Sequence, residues 1–350
     1  MSIYKKWKPV TSAPDFNNLL KILSQKKPER PTLFEFGLNI KLQQRLFALT
    51  DERDPARVDP EIMKLHAYRN AGYDYVITQL PGFQLYRQLP AHAEKQSFSL
   101  NEGQDITDRE SFLKYKWPDP ENIDLTLFKK IEEELPHGMK VIIMGPGGVL
   151  ENVIYLTGFE NLCMLLYDDP SLVNDIFTAV GSRLLRYYEI AAAIPCVGAC
   201  MLNDDWGFKT QTMLKPGQLR QNVFPWHKQA VAAVHAQHKP AILHSCGQYE
   251  TIIEDVITDM QFDGRHSYED TIVSVEDAYE KLQGKIAVLG GIDVDYICKY
   301  SPAEVYERSR VMLRRTAVRG GYALGSGNSI PAYVPDENYW AMITAALEER

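Results

Sequence analysis

The sequence alternates short β-rich apolar runs with helical segments, and this alternation constrains the fold more than any other feature. It indicates a parallel sheet, because a parallel strand is reached only through a long crossover, usually a helix. Eight runs can be counted as strands: Thr32–Phe36, Asp74–Thr78, Lys140–Met144, Val197–Leu202, Ala241–His244, Phe262–His266, Ile286–Leu289 and Tyr322–Leu324. Eight strands with intervening helices in 350 residues predict an α/β fold, a (β/α)8 TIM barrel forming a single domain over residues 1–350.

Helix-boundary signals support this pattern. The run Ser301-Pro302-Ala303-Glu304 is a capping box with proline at the first helical position, and it predicts a helix over Pro302–Arg319. Pro216 similarly opens a predicted helix that reaches Gln237, and Tyr249–Met260 is predicted to be helical as well. The least regular stretch, residues 84–117, is predicted to be an excursion that could cover the barrel mouth as a lid.

Charge and cysteine usage narrow the class of partner and the compartment. A net charge of −8 and a pI near 5.6 argue against nucleic-acid binding, which needs a basic surface, so the partner is a small molecule or another protein. Five scattered cysteines, an opening without a signal-peptide pattern, and apolar stretches interrupted by Pro195 predict a cytoplasmic chain without a membrane segment. A homodimer is the default expectation for a soluble enzyme.

Polar residues recur at the C-terminal ends of the predicted strands, where the active site of a (β/α)8 barrel lies. They are Glu35, Asn203, Asp204, Asp205, His244, Ser245, Cys246, Glu269, Asp270, Asp293 and Asn328. Because they follow different strands, we expect them to converge on the mouth of the barrel.

The most specific local pattern is His244-Ser245-Cys246. Residues two apart on an extended chain point to the same side, and imidazole nitrogen and thiolate sulfur are both good zinc ligands. A catalytic zinc takes about three protein ligands, so this pair needs a third. The alternative is that His244 hydrogen-bonds within a packed barrel top and Cys246 is a small buried apolar residue.

The neighbouring Asn203-Asp204-Asp205 follows the strand before. Adjacent residues of an extended chain face opposite ways, so one carboxylate is expected to point into the mouth while the other caps a loop or meets a cation. The alternative is a pair of solvated acids on a surface loop.

Four segments together resemble the uroporphyrinogen decarboxylase superfamily. They are N-D-D-W-G-F-K-T-Q-T-M-L-K-P from Asn203, L-H-S-C-G-Q-Y-E-T-I-I-E-D-V-I from Leu243, G-G-I-D-V from Gly290 and G-S-G-N-S-I-P-A-Y-V-P-D-E-N from Gly325. The resemblance extends from about Lys140 to the C-terminus. It is closest to the corrinoid-linked methyltransferases of the methylcobalamin:coenzyme M type, which use a His-x-Cys after strand five as zinc ligands, and this implies that role for His244 and Cys246.

Two departures separate the chain from both branches of the superfamily. The decarboxylases carry an arginine-rich motif after strand one, whereas this chain has Glu35 and no arginine there. The methyltransferases carry a third zinc ligand, a cysteine, after strand eight, where this chain has Asn328. We therefore expect a carboxylate to replace that ligand, with Asp204 as the first candidate and Glu35 or Glu269 as the next.

These observations leave three functional hypotheses. The first is the zinc-dependent methyltransferase component of a corrinoid-dependent demethylase system, with a small-molecule methyl donor or acceptor and a separate corrinoid protein. The second is a metal-free decarboxylase or lyase of a different carboxylated substrate, in which the catalytic residues Asp204 and Asn328 contact substrate. The third is a non-catalytic binding barrel. Glu35, Asn203 and Glu269 are the predicted substrate-binding residues.

Overall fold

The chain folds around a parallel sheet of seven strands, seen in a computed structural model that describes residues 8–86, 100–101 and 104–350. The strands are β1 (Tyr75–Thr78), β2 (Lys140–Met144), β3 (Val197–Asn203), β4 (Ala241–His244), β5 (Gly264–His266), β6 (Ala287–Leu289) and β7 (Tyr322–Ala323). They pair in chain order, each parallel to the next. The result is a curled α/β sheet of the TIM-barrel type.

Helices surround the sheet and precede or follow its strands. They are α1 (Asn17–Leu23), α2 (Ile40–Phe47), α3 (Pro60–Ala71), α4 (Arg109–Lys114), α5 (Thr126–Glu134), α6 (Val149–Thr157), α7 (Phe159–Asp168), α8 (Pro170–Ala193), α9 (Pro216–Asn222), α10 (Phe224–Ala236), α11 (Val275–Leu282), α12 (Val294–Lys299), α13 (Pro302–Thr316) and α14 (Asp336–Leu347). The long helix α8 packs against α10 and β3, which buries the outer face of the sheet. Burial on both faces explains why the strands are apolar runs rather than alternating ones.

Seven of the eight predicted strands coincide with β1–β7, with ends shifted by at most two residues, but the strand predicted at Thr32–Phe36 is wrong. Next to β7 this segment forms only an isolated bridge between Leu33 and Leu324. On its other side, the Tyr75 hydroxyl accepts a hydrogen bond from the Glu35 N–H (2.6 Å) and donates one to the Glu35 carbonyl (2.8 Å). A side chain thereby takes the backbone groups that would pair with β1, so no strand ladder closes the barrel here.

Two predicted helices also differ from the structure. The helix predicted over Pro216–Gln237 is interrupted at Val223, because Pro225 near the start of α10 has no N–H to continue the helical hydrogen bonds. The helix predicted over Tyr249–Met260 is instead a 3₁₀ turn followed by a short π-helical turn. The capping box at Ser301 is confirmed, since its side chain accepts from the Glu304 N–H at the start of α13.

Of the lid predicted at 84–117, residues 87–99 and 102–103 lie outside the described residues, and the described remainder includes α4. Among the residues that the structure describes, no single helix is long and apolar enough to cross a membrane. The bent pair α6 and α7 reaches such a length and apolar composition only when the two helices are taken together.

Candidate metal centre

Three neighbouring strands end at the same level, and their last residues define the site. Asn203 at the end of β3 pairs in register with His244 at the end of β4, and His244 pairs with His266 at the end of β5. The loops that follow these strands therefore begin side by side at the C-terminal edge of the sheet, the position at which TIM barrels carry their active sites.

His244, Cys246 and Asp205 form a cluster whose ligand atoms all lie within 4.8 Å of one another. The Sγ atom of Cys246 is 3.7 Å from His244 Nε2, and Asp205 Oδ1 accepts a hydrogen bond from the Cys246 N–H at 2.8 Å. A tetrahedral zinc with bonds of about 2.3 Å to sulfur and about 2.0–2.1 Å to nitrogen places those two atoms about 3.5 Å apart. The three side chains therefore fit the donor set and spacing of a zinc site with one open position.

Two glycines let the β3 and β4 loops touch, and this contact brings Asp205 to Cys246. A side chain on Gly247, whose φ is +83°, would place its Cβ 2.0 Å from the Gly207 carbonyl oxygen. A Cβ on Gly207 would lie 2.4 Å from the Gln248 nitrogen. The loops meet backbone to backbone, which no residue with a Cβ permits at these positions.

The two adjacent aspartates have separate roles. Both oxygens of Asp204 accept hydrogen bonds from backbone N–H groups at the start of α6, from Leu150 and Glu151 at 3.0 Å each. Its Oδ2 atom is also 2.8 Å from His227 Nε2. The structure thus brings Asp205, and not the predicted ligand Asp204, into the cluster. As expected from strand alternation, one carboxylate points to the mouth while the other caps an element.

The cluster gathers negative groups that raise one another's pKa. Burial, and next the Asp205 carboxylate, raise the pKa of the Cys246 thiol well above its usual range. Burial also raises the pKa of Asp205. Glu151, on α6, has its pKa raised to about 8 by burial and then by the charges of Asp205 and Asp204. A bound cation would relieve this repulsion and favour the thiolate, as metal binding to cysteine requires.

His244 is held between an aromatic ring and a second histidine. The Phe36 ring stacks on it, with ring centroids 3.9 Å apart and planes inclined by 5°. Its Nδ1 atom lies 2.7 Å from Nδ1 of His266, whose Nε2 is 3.3 Å from the Ser326 carbonyl oxygen. Burial lowers the pKa of His266 to about 4 and that of His244 well below its ordinary value, so both rings are neutral near pH 7.

The other predicted site residues occupy three different environments. Asn328 lies at the cluster, where its Nδ2 donates to Cys246 Sγ at 3.3 Å. Glu35 is fully buried, accepts from the backbone N–H and hydroxyl of Ser326, and has its pKa raised to about 8 by burial. Asn203 Nδ2 lies 3.5 Å from Glu151 Oε2, while its buried Oδ1 has no hydrogen-bond partner among the described residues.

The predicted acids after β5 and β6 lie further along the mouth. Glu269 lines a cavity, as described below, whereas Asp270 pairs with Arg308 at 2.6 Å. Asp293 caps α12 by accepting from the Tyr296 N–H at 2.9 Å. Asp270 and Asp293 therefore hold loops in place rather than point into the cluster.

Two cavities flank the cluster. One, of about 600 Å³, is lined by Glu269, Asn328 and Tyr333 among others, and it adjoins the cluster through Asn328. The other, of about 420 Å³, is lined by Phe36 and Gln79 among others, and it adjoins the cluster through Phe36. Both volumes are in the range of small-molecule sites. Within the described part of the chain, neither cavity is lined by an arginine.

Sequence reasoning missed two residues at this site, His266 and Glu151. His266 is the last residue of a correctly predicted strand next to that of His244, so its position at the strand end was a usable signal. Glu151 reaches the site because its Oε2 accepts from the Gly148 N–H in a capping arrangement at α6. That arrangement depends on a turn whose direction the sequence does not reveal.

Comparison with known proteins identifies the family. The family model described as uroporphyrinogen decarboxylase (URO-D) matches residues 103–348, and the chain therefore belongs to this family, as the motifs predicted. A solved structure of a methyltransferase from Methanosarcina mazei has a similar fold, with 14% identity, a TM-score of 0.66, and coverage of 96% of this chain and 99% of that chain.

A weaker structural similarity is found to a putative vitamin-B12 independent methionine synthase from Listeria monocytogenes. It has 12% identity and a TM-score of 0.48, and it covers 97% of this chain and 98% of that chain. No curated protein matches the chain.

Proposed function

We propose that this protein is the zinc-dependent methyltransferase component of a corrinoid-dependent demethylase system. The observation that carries the proposal is the cluster of His244, Cys246 and Asp205 at the ends of neighbouring strands. It supplies one nitrogen, one sulfur and one oxygen donor, three protein ligands with room for a fourth from the substrate. Asp205 would be the carboxylate that replaces the missing third ligand after β7.

The donor set favours one direction of methyl transfer. Zinc would act as a Lewis acid on the atom that carries the methyl group, and this would make that atom a better leaving group. A carboxylate ligand is harder than the thiolate that it replaces, so the site suits an oxygen-bearing or amine-bearing methyl donor more than an acceptor thiol. The methyl group would then pass to the cobalt of a corrinoid held by a separate protein.

The chain's own residues would position the donor. Asn328 keeps an amide group against Cys246 and lines the larger cavity, where it can contact the donor next to the metal position. The Asp205 carboxylate would disfavour an anionic donor, and Glu269 lines the same cavity as Asn328. A neutral or positively charged methyl donor is therefore expected.

The same charges argue against the decarboxylase alternative. A porphyrinogen with many carboxylates needs cationic groups to bind it, as bidentate arginine pairs do in other carboxylate sites. In the described residues, no arginine lines either cavity beside the cluster, and the end of the predicted first strand carries Glu35. The lysines that line the two cavities, Lys64 and Lys299, are paired with Glu61 and Asp295. We expect incubation with uroporphyrinogen to yield no coproporphyrinogen at an enzymatic rate.

The proposal is tested by methyl transfer to free cob(I)alamin, used in place of the corrinoid protein. A panel of methyl ethers, methylamines and methyl thioethers would be screened for formation of methylcobalamin by absorbance, with zinc-loaded protein. Chelator-treated protein should be inactive and should recover when zinc is restored, and Cys246→Ser should stay inactive in both states. Equal activity of the metal-free and zinc-loaded protein with any donor would contradict a zinc-dependent reaction.

A further inference from the structure

The contact between the two buried histidines at the site restricts which of their ring nitrogens carries a hydrogen. Nδ1 of His244 and Nδ1 of His266 are 2.7 Å apart, a hydrogen-bond distance. Two neutral rings can make this bond only if one Nδ1 carries the hydrogen and the other presents its lone pair. The contact therefore allows two arrangements, and a third group must select between them.

The Ser326 carbonyl makes the selection. It lies 3.3 Å from His266 Nε2, and a carbonyl oxygen can only accept. His266 must therefore carry its hydrogen on Nε2 and offer the Nδ1 lone pair, so His244 donates its Nδ1–H. In the opposite arrangement, two lone pairs would face each other in a fully buried position, where an unsatisfied polar contact is costly.

Glu35 holds this carbonyl in place. One of its oxygens accepts from the Ser326 hydroxyl at 2.7 Å and the other from the Ser326 N–H at 3.2 Å. The hydrogen-bond chain thus runs from Glu35 through Ser326 and the ring of His266 to His244. At its end, His244 Nε2 is left without a hydrogen and faces Cys246 Sγ at 3.7 Å.

We propose that His266 is a positioning residue that sets the tautomer of His244 so that the Nε2 lone pair faces the metal position. In the other tautomer this nitrogen would carry a hydrogen and could not bind a metal ion. The link to metal binding rests on the proposed zinc function, whereas the tautomer itself does not. A hydrogen-bond partner of this kind on a ligand histidine typically contributes 10–100-fold to metal affinity or activity.

The first test uses metal-free wild-type protein and therefore does not depend on zinc. Histidine-selective ¹⁵N labelling distinguishes protonated from unprotonated ring nitrogens by NMR, and the His244→Ala variant assigns the signals of His244. We expect hydrogen on Nδ1 of His244 and on Nε2 of His266. A hydrogen on Nε2 of His244 would overturn the proposal.

The second test compares two substitutions that both remove the hydrogen bond to Ser326. His266→Asn keeps an acceptor, Oδ1, in the place of Nδ1, whereas His266→Phe keeps a ring without an acceptor. We expect zinc affinity, measured by chelator competition, to fall about 10–100-fold in His266→Phe and to be largely retained in His266→Asn. His235→Phe, which alters a histidine paired with Asp263 away from the site, should bind zinc like the wild type.

The outcomes separate this proposal from the proposed function. Equal zinc affinity of His266→Phe and wild type would refute the positioning role, and thermal unfolding of the metal-free variants would show whether the fold was retained. If His266→Phe is unfolded, the NMR result decides, and a loss of zinc affinity in a folded His266→Asn would still contradict the proposal. If the wild type binds no zinc, the proposed function fails while the NMR measurement still tests the tautomer.

Discussion

The substitution Asp204→Asn should destabilise the protein without removing the metal cluster, because Asp204 anchors the start of α6. Its carboxylate accepts from the N–H groups of Leu150 and Glu151 and contacts His227. Asparagine has one acceptor oxygen, so its amide NH₂ must face one of these donors. Leaving one buried N–H unpaired costs about 1–3 kcal/mol. The two remaining hydrogen bonds lose their charge assistance and become roughly half as strong.

Together these effects amount to about 3 kcal/mol, which corresponds to a fall in melting temperature of roughly 4 °C for a chain of 350 residues. The assay is thermal unfolding of chelator-treated protein, followed by circular dichroism, with zinc affinity measured separately. The matched variant is Asp205→Asn, whose side chain caps no helix and keeps an oxygen for the Cys246 N–H. It should melt within about 1 °C of the wild type but bind zinc at least about 10-fold more weakly. The division of roles would be refuted if Asp204→Asn melted like the wild type. It would also be refuted if Asp205→Asn melted as low as Asp204→Asn and bound zinc like the wild type.

Two further predictions concern the loops and the buried acid. Gly247→Ala should weaken zinc binding, because the added Cβ would meet the Gly207 carbonyl and separate Asp205 from the β4 loop. Gly284→Ala is the matched control, because Gly284 has a similar φ of +74° and an added Cβ there would meet no described atom within 4 Å. Glu35 keeps a proton in the folded state that the unfolded chain loses above pH 4.5, so its contribution to stability is lost as the pH rises from about 4.5 to about 8. In Glu35→Gln, the free energy of unfolding measured with urea should fall less steeply with pH in this window, by up to about 1.4 kcal/mol per pH unit. An unchanged slope would show that Glu35 titrates normally.

Most of the fold follows from local patterns in the sequence. Seven strands were predicted because apolar β-rich runs are bounded by turn residues, and the start of α13 because a capping box and proline mark it. The failure at Thr32–Phe36 has a tertiary cause. The Tyr75 hydroxyl, 40 residues away in sequence, takes the backbone groups of Glu35, and no local pattern reveals such an intrusion.

The candidate site was predictable in part for the same reason. His244 and Cys246 share one strand end, so their spacing alone places them together, and strand alternation predicts that only one of Asp204 and Asp205 points into the mouth. Which aspartate does so depends on the position of α6, whose N–H groups bind Asp204. The contact of His244 with His266 joins two strands and depends on their register, which the sequence of either strand does not contain.

The zinc content of the purified protein tests the central claim most directly. Wild-type protein, prepared in zinc-supplemented buffer without chelator and then exchanged into metal-free buffer, should retain about one zinc per chain by elemental analysis. Cys246→Ser and Asp205→Asn should each retain clearly less while their folds remain intact. Wild-type protein that carries no stoichiometric zinc would contradict the metal centre at His244, Cys246 and Asp205, and with it the proposed methyltransferase chemistry.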